Sequence, residues 1–563
     1  MTVPVESVTM QNKKKPSLVL TLSATGLLIG AGVATYFFLT QGKPLARDLL
    51  TGAHLIPKDA LLAVSLTTDP RQWKKLREFG TQETQVELDK NLVALGDRFL
   101  TNHGYDFQTD IQPWVGDRIT FAILTPKPDV SSGKSVATNR NNNSQQQPLV
   151  TILPIKNLAK AEQIWTQKFN LPKNTSSNVA ENPIQEIKSK SGTKFYTAII
   201  ERRFLAIADN SQVIRQTINA YAESTSLIKS QGFSKNFSEI ANSRPFAQFY
   251  VNVPASAQIA AAAPNRRLPA QVLAQLQDNQ GLAGTVSLKS SGISLQGISW
   301  LNPNSQRQLV VENQGGNMAK LLPPETLMML SGNNLRRLWK DYVSTSKNNP
   351  ISPLPPEQLK KSIKNYTNLD LERDLLSWMQ GEFSVSVIPN LPKEGKQEDF
   401  RAALLFMVKT SDRQKAEAVF TQLDETMKSQ YQFQIQPGNI GNQPVVNWIA
   451  PFGTLTGTHG WLDNNISFLV LGAPITNRII PQSQNSLANS QSFQNTVPSQ
   501  PNPSNAQLFV DVERGMKNFP LPNLIPNQNM ILGATRSIGV KSAISDSRSQ
   551  RYDIFLELRK VKE

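Results

Sequence analysis

The sequence predicts an α+β fold, with an N-terminal transmembrane helix followed by two tandem repeats of a mostly antiparallel sheet-and-helix unit. Three observations predict it. Segments of one half of the chain return in the other half in the same order. Short β-type runs joined by turn signals are interrupted by separate helical patterns, which favours antiparallel sheet over a doubly wound parallel one. One long uncharged stretch, Ser17 to Leu39, has the roughly 20 apolar residues needed to cross a bilayer.

The internal echo is the strongest of the three. Ser226-Leu227-Ile228-Lys229-Ser230-Gln231-Gly232-Phe233 returns as Ser486-Leu487-Ala488-Asn489-Ser490-Gln491-Ser492-Phe493. Pro57, Leu61, Ser65, Trp73 and Lys74 return as Pro323, Leu327, Ser331, Trp339 and Lys340, all at an offset of 266. Asp106, Asp110 and Trp114 recur as Asp370, Asp374 and Trp378 at 264, Lys160-Ala161-Glu162 as Lys415-Ala416-Glu417 at 255, and Ala247-Gln248 as Ala506-Gln507 at 259. The drift is small enough to align one unit with another. The division that follows is a cytoplasmic N-terminus (1–16), a transmembrane helix (17–39), a connector (40–54), a first unit (55–303), a linker (304–319) and a second unit (320–563).

Along the chain, Lys13, Lys14 and Lys15 precede the apolar stretch and place that flank in the cytoplasm. The rival reading is a cleaved signal peptide ending near Gly32 and Ala34, disfavoured because Tyr36-Phe37-Phe38-Leu39 continue the apolar run. Gly26, Gly30 and Ala34 have the spacing of a helix-packing face, though a single-pass anchor contains such residues without pairing. Each unit then opens with proline and a strand, Ala60 to Ser65 and Leu327 to Leu330. Helical pattern follows in Pro70 to Phe79 and Gln85 to Leu100, the latter with Val86, Leu88, Leu92, Leu95 and Phe99 at mostly three- and four-residue spacing. Strand pairs are expected at 119–124 with 149–153 and at 383–388 with 402–408, the first around the polar loop Asp129 to Gln147. Asn157 caps a helix to Phe169, and Ser411 or Asp412 caps its counterpart. Further strands fall at 194–200, 203–208, 246–253, 284–288 and 293–300, while Ser483 to Ser504 reads as a polar insertion.

Composition bounds the chemistry. The chain has no cysteine, which excludes disulfides, thiolate metal sites and a cysteine nucleophile. A net charge of +16 favours anionic partners such as lipid headgroups or acidic protein surfaces, or else simply keeps the surface solvated. No nucleic-acid module accompanies the scattered basic residues, so nucleic acid is not an expected partner.

Candidate polar constellations are few. Asp106 with Asp110, and Asp370 with Asp374, have the four-residue spacing that puts two carboxylates on one helical face. Such a pair would share a hard cation only with more oxygen ligands than the neighbourhood supplies, so helix capping by Asp110 and Asp374 is the simpler reading. Trp73/Trp339 and Trp114/Trp378 fit a ligand cleft or, more simply, repeated core positions. His54, His103 and His459 occupy no equivalent positions. Ser131 to Lys134 and Ser344 to Lys347 match a Ser-x-x-Lys pattern at the level of chance. No catalytic, cofactor-binding or metal-binding residue is assigned, and no cofactor is expected.

Ile56-Pro57-x-Asp59-x-Leu61, Asp106-x-x-x-Asp110-Ile111-x-Pro113-Trp114-Val115-Gly116 and the run from Ser226 to Phe233 together resemble the family called domain of unknown function 3352, uncharacterised and mainly cyanobacterial. The second copy departs from the middle element, with Ser377 in place of the proline and one extra residue before Gly381. The resemblance implies a membrane-anchored protein whose bulk lies in the periplasm or a thylakoid lumen, with no established activity. The expected function is a non-catalytic binding scaffold, or an assembly or maintenance factor for envelope or photosynthetic membrane components. A carrier of lipid or another hydrophobic ligand is the alternative, and a cell-wall hydrolase the second. An apolar cavity of several hundred Å³ would mark the carrier, a broad patch between the units the scaffold, and converging carboxylates or a serine with a base the hydrolase.

Overall fold

The computed structural model describes residues 50–99, 106–126, 148–169, 184–188, 192, 194–240, 242, 244–262, 278–346, 355–390, 401–463, 465–480, 485–518 and 528–561. The expected transmembrane helix 17–39, the loop Asp129 to Gln147 and His103 lie outside these residues. Among the described residues, no helix is long and apolar enough to cross a membrane.

The chain is a mixed α/β structure built on one large antiparallel sheet. The strands of the first half are β1 (Leu62–Thr67), β2 (Arg118–Ile123), β3 (Leu149–Pro154), β4 (Gln185–Lys188), β5 (Lys194–Ile200), β6 (Phe204–Ala208), β7 (Ala247–Asn252), β8 (Asn279–Leu288) and β9 (Gly292–Leu301). Those of the second are β10 (Met328–Gly332), β11 (Phe383–Pro389), β12 (Ala402–Lys409), β13 (Gln434–Ile440), β14 (Gln443–Ile449), β15 (Leu455–Trp461), β16 (Ile466–Gly472), β17 (Ala506–Asp511), β18 (Thr535–Asp546) and β19 (Ser549–Leu558). The helices that matter below are α1 (Pro70–Leu76), α2 (Gln82–Phe99), α3 (Leu158–Phe169), α4 (Ser211–Ala222), α5 (Phe233–Glu239), α6 (Val253–Ala262), α7 (Leu335–Ser346), α8 (Pro356–Thr367) and α9 (Arg413–Tyr431).

Every ladder among the described residues is antiparallel, as the hairpin pattern predicts. The order across the first half is β4-β5-β6-β3-β2-β1-β7-β8-β9. A β9–β19 ladder carries the sheet into β19-β18-β17-β10-β11-β12-β16-β15-β14-β13. That junction is not legible in the sequence, because edge-to-edge pairing leaves no signal beyond the alternation every strand shows.

Alternation sorts the side chains of β1 onto two faces. Ala63 and Ser65 are buried on one, where Tyr250, Ala283 and Ile298 pack with Val213 and Ile214 of α4 and Phe233 and Phe237 of α5. Gly232 enters α5 at φ +78 with the Trp300 ring directly above, so a side chain there would be both strained and in collision. Leu62, Val64 and Leu66 point to the opposite face. In the middle of that face the apolar cluster of Phe249, Leu295, Ile554, Val64, Val286 and Val540 is built from strand residues alone. The helical expectations hold with small shifts of boundary: Asn157 Oδ1 caps α3 through Lys160 N–H, and Asp412, rather than Ser411, caps α9. The Ser483 to Ser504 segment is packed rather than looped out where described, with Leu487 and Phe493 buried.

Side-chain contacts also tie the halves together. Arg548 donates to the carbonyls of Asn302, Ser305 and Arg307 along the segment joining the halves. Lys235 Nζ, on α5, lies 2.6 Å from Asp546 Oδ2, in the turn of the β18–β19 hairpin. Burial pushes the Asp546 carboxyl up, but the Lys235 ammonium, the Arg548 N–H and the Ser549 hydroxyl outweigh it and hold it down to about 2. A carboxylate depressed on folding stabilises the native state above its unfolded value near 3.8 and loses that contribution as pH falls towards 2. Since the Lys235 side chain is 68% exposed and that of Asp546 35%, solvent screens the pair and Asp546→Asn should cost only about 1 kcal/mol at pH 7. The difference from wild type should shrink to a small fraction at pH 2 and vanish below it in urea unfolding curves; a pH-independent difference would assign the effect to packing.

Candidate functional site

A cleft of about 740 Å³ opens at one end of the sheet face that carries Leu66, between β1, β2, α1, α2 and the π-helical turn Phe107–Ile111. Its composition changes with depth. Leu66 and Ile119, opposite each other in the β1–β2 ladder, are buried and form the floor. Trp73, Leu92 and Phe107 line the walls half-buried. Lys74, Arg77, Gln108 and Gln112 form an exposed rim, together with Asp106.

Local sequence fixes each wall. Asp69 caps α1 by accepting the Arg71 N–H, Pro70 starts it, and Trp73 donates its indole N–H to the Thr67 carbonyl at 2.9 Å, which holds the ring against Phe246. The stripe expected on α2 divides: Leu92 faces the cleft, while Val86 is 64% exposed. Main-chain bonds anchor the start of α2 to the C-terminal segment, from Gly80 N–H to the Arg559 carbonyl and from Val561 N–H to the Glu78 carbonyl.

The aspartate pairs flank this architecture as caps. Asp106 Oδ1 accepts the Thr109 N–H and hydroxyl, and Asp110 Oδ2 reaches back to the Asp106 N–H at 2.6 Å. Asp370 and Asp374 repeat the exchange at the second π-helical turn, Leu371–Leu375, with Asp374 Oδ2 accepting the Asp370 N–H at 2.7 Å. Capping is thus the arrangement, but the N-caps are Asp106 and Asp370, not the expected Asp110 and Asp374. Sequence spacing alone could not rank the two, since each reciprocally satisfies the other's backbone. Asp370→Ala should cost about 1 kcal/mol. Asp370→Ser should recover most of that in thermal melts, and added calcium should leave both melts unmoved if capping is the whole role.

The repeated tryptophans divide similarly. Trp114 is fully buried, edge-on to Trp165, with its indole N–H on the Asp110 carbonyl. Trp378 is 1% exposed against Phe420. Trp73 lines the cleft, whereas Trp339 is buried and donates to Glu372 Oε1 at 2.8 Å.

No histidine reaches the cleft among the described residues. His459 Nε2 lies 2.8 Å from Asp424 Oδ1, which also accepts the Trp448 indole N–H, and Phe420 stacks on the imidazole at 4.5 Å. The His459 side chain is 6% exposed and that of Asp424 19%, which fits a core pair rather than a catalytic one. His54 is half-buried against Phe204 and Tyr221, and burial pushes its imidazole below the usual range. Ser131 to Lys134 lies outside the described residues, and Ser344 to Lys347 runs past the end of α7 into undescribed chain. The described residues contain no group of three acidic or histidine side chains placed to hold a metal ion.

The chain matches the model for proteins of unknown function named DUF3352 over residues 21–558. It belongs to that family. No curated protein matches it. Among solved structures this DUF3352 chain is similar to TP0453 in crystal form III, at 10% identity and a TM-score of 0.19, over 45% of this chain and 80% of that one. Crystal form I of TP0453 matches at 7% and 0.22, over 43% and 93%. Likeness this slight carries no argument about a DUF3352 site, which rests on the cleft itself.

Proposed function

We propose that the protein works by binding rather than catalysis, as a carrier or sensor of a hydrophobic small molecule held in the cleft beside Trp73. The observation that carries the reading is a cleft of about 740 Å³ with a buried aliphatic floor and an exposed polar rim. Small-molecule sites occupy roughly 300–1,000 Å³ and are mostly apolar with a few orienting polar groups. The anchor expected at 17–39 would hold such a binder at a membrane, with the described chain on the extracytoplasmic side.

We further infer that the two halves are tandem copies of one unit. Supporting this, offsets read from the sequence relate the ladders. Leu62 faces Val251 and Ile123, while Met328, 266 residues on, faces Val510 and Val387, displaced by 259 and 264. Thr120 opposite Ile152 likewise maps to Ser384 opposite Met407. Carried through β8 and β9, the same mapping takes Gln296 to Asp553, and these two face each other where β9 meets β19. A duplicated unit meeting itself about a local two-fold would pair in this way.

One observation favours a second reading, the scaffold. Val510, Met328, Val387, Leu404 and Leu471 form a row across five strands of the second half, and Met328, Leu404 and Leu471 are 37%, 44% and 37% exposed. Such a row suits a protein partner. Photocrosslinking of the full-length chain with a diazirine-bearing fatty acid separates the two. Adducts in peptides containing Trp73, Leu92 or Phe107 are expected; adducts confined to the Met328–Leu404–Leu471 row would sink the cleft reading.

A further inference from the structure

We propose that the cleft selects a single-chain amphiphile with an anionic head group, and that Lys74 receives the head. This deepens the cleft reading and rests on it. The ordering of side chains by depth is that of an amphiphile: Leu66 and Ile119 buried at the floor, Trp73, Leu92 and Phe107 half-buried between, and charge only at the rim.

The rim sets Lys74, Arg77 and two glutamine amides against the single carboxylate of Asp106. Arg77 is already bridged to Asp89 at 2.6 Å, and Asp106 spends Oδ1 on Thr109, so these charges are partly satisfied within the protein. Asp69 is held by Arg71, and Lys75 donates to the Leu288 carbonyl. Lys74 is exposed at the rim and makes no ion pair among the described residues. The Gln108 and Gln112 amides flank the opening with further N–H groups. A carboxylate or phosphate monoester supplies only acceptors at neutral pH and fits this set, whereas a quaternary ammonium head would face Lys74 with like charge. Size limits the tail. At roughly 30 Å³ for each water-sized group, the volume holds on the order of 25 such groups, which matches one acyl chain with its head.

The test uses the full-length chain and a fluorescent acyl probe displaced by amphiphiles of one tail length: dodecanoate, dodecyl phosphate, neutral dodecyl glucoside and dodecyltrimethylammonium. The two anions are expected to compete about fivefold better than the glucoside, the margin of one exposed charge pair, and the cation worse than the glucoside. Lys74→Glu should bring the anion-to-glucoside ratio to one or below while the glucoside still competes, a pattern that misfolding cannot produce. Raised salt should shrink the preference in wild type only. Equal competition by anionic and neutral heads, or a preference that survives Lys74→Glu, overturns the head-group assignment while the cleft reading stands. Failure of every amphiphile to compete, or of the probe to bind, overturns both.

Discussion

Replacing Trp114 or Trp378 with alanine is expected to lower the unfolding free energy of its half by about 3–5 kcal/mol, the range for removing a large buried aromatic. Both rings are at most 1% exposed, so neither cavity can refill with solvent without opening the fold. The more informative comparison is tryptophan to phenylalanine, which keeps most of the apolar surface and removes the indole N–H. At position 114 that change removes the bond to the Asp110 carbonyl. At 378 the indole N–H is buried and has no partner among the described residues, so its removal discards a cost instead of a bond. Trp114→Phe should therefore be worse than Trp378→Phe by about 1 kcal/mol or more. Urea unfolding followed by circular dichroism, with each half fitted separately if two transitions appear, measures the difference. Equal costs would mean that the two π-helical turns hold their tryptophans alike after all.

That asymmetry between repeated residues shows where sequence reading reaches its limit. Most strands are legible because apolar and polar residues alternate in them, and the antiparallel order because hairpin turns such as Ser290-Ser291-Gly292 join neighbours. The aspartate spacing is legible as capping because a carboxylate at a helix start has few other uses. The cleft is not legible. Its floor is Leu66 and Ile119, ordinary strand residues, and its existence depends on how far α2 stands from β2. That separation is set by bonds from residues 78 and 80 to 559 and 561, contacts made across almost the whole chain length. Nor does the sequence distinguish His459 as a catalytic base from His459 as a core residue, because Asp424, Phe420 and Trp448 meet it only through folding.

Converting the cleft into the packed form seen in the other half should weaken ligand binding roughly fiftyfold. On the proposed duplication, Gln112 and Ile119 correspond to Leu376 and Phe383, which are 3% and 2% exposed inside a cluster closed by Leu359 and Ile363 of α8. Phe383 fills the space that a smaller floor residue leaves open, and Leu376 replaces a rim amide by an apolar plug. The double variant Gln112→Leu/Ile119→Phe should thus deny a bound tail about three methylenes of burial, worth about 2.4 kcal/mol or roughly fiftyfold in affinity. Phe383 packs over Gly332 where Ile119 faces Leu66, so the added bulk in the first half should cost about 1–3 kcal/mol of stability, which a thermal melt measures alongside binding. Wild type should bind one acyl probe per chain, since the matched positions of the second half are packed over; titration calorimetry reads both the affinity and the stoichiometry. Two equivalent sites per chain would place a second cleft in the packed half and contradict the asymmetry. A double variant that melts cooperatively and binds as tightly as wild type would move the ligand off the Leu66–Ile119 floor altogether, leaving the exposed Met328–Leu404–Leu471 row as the surface that acts.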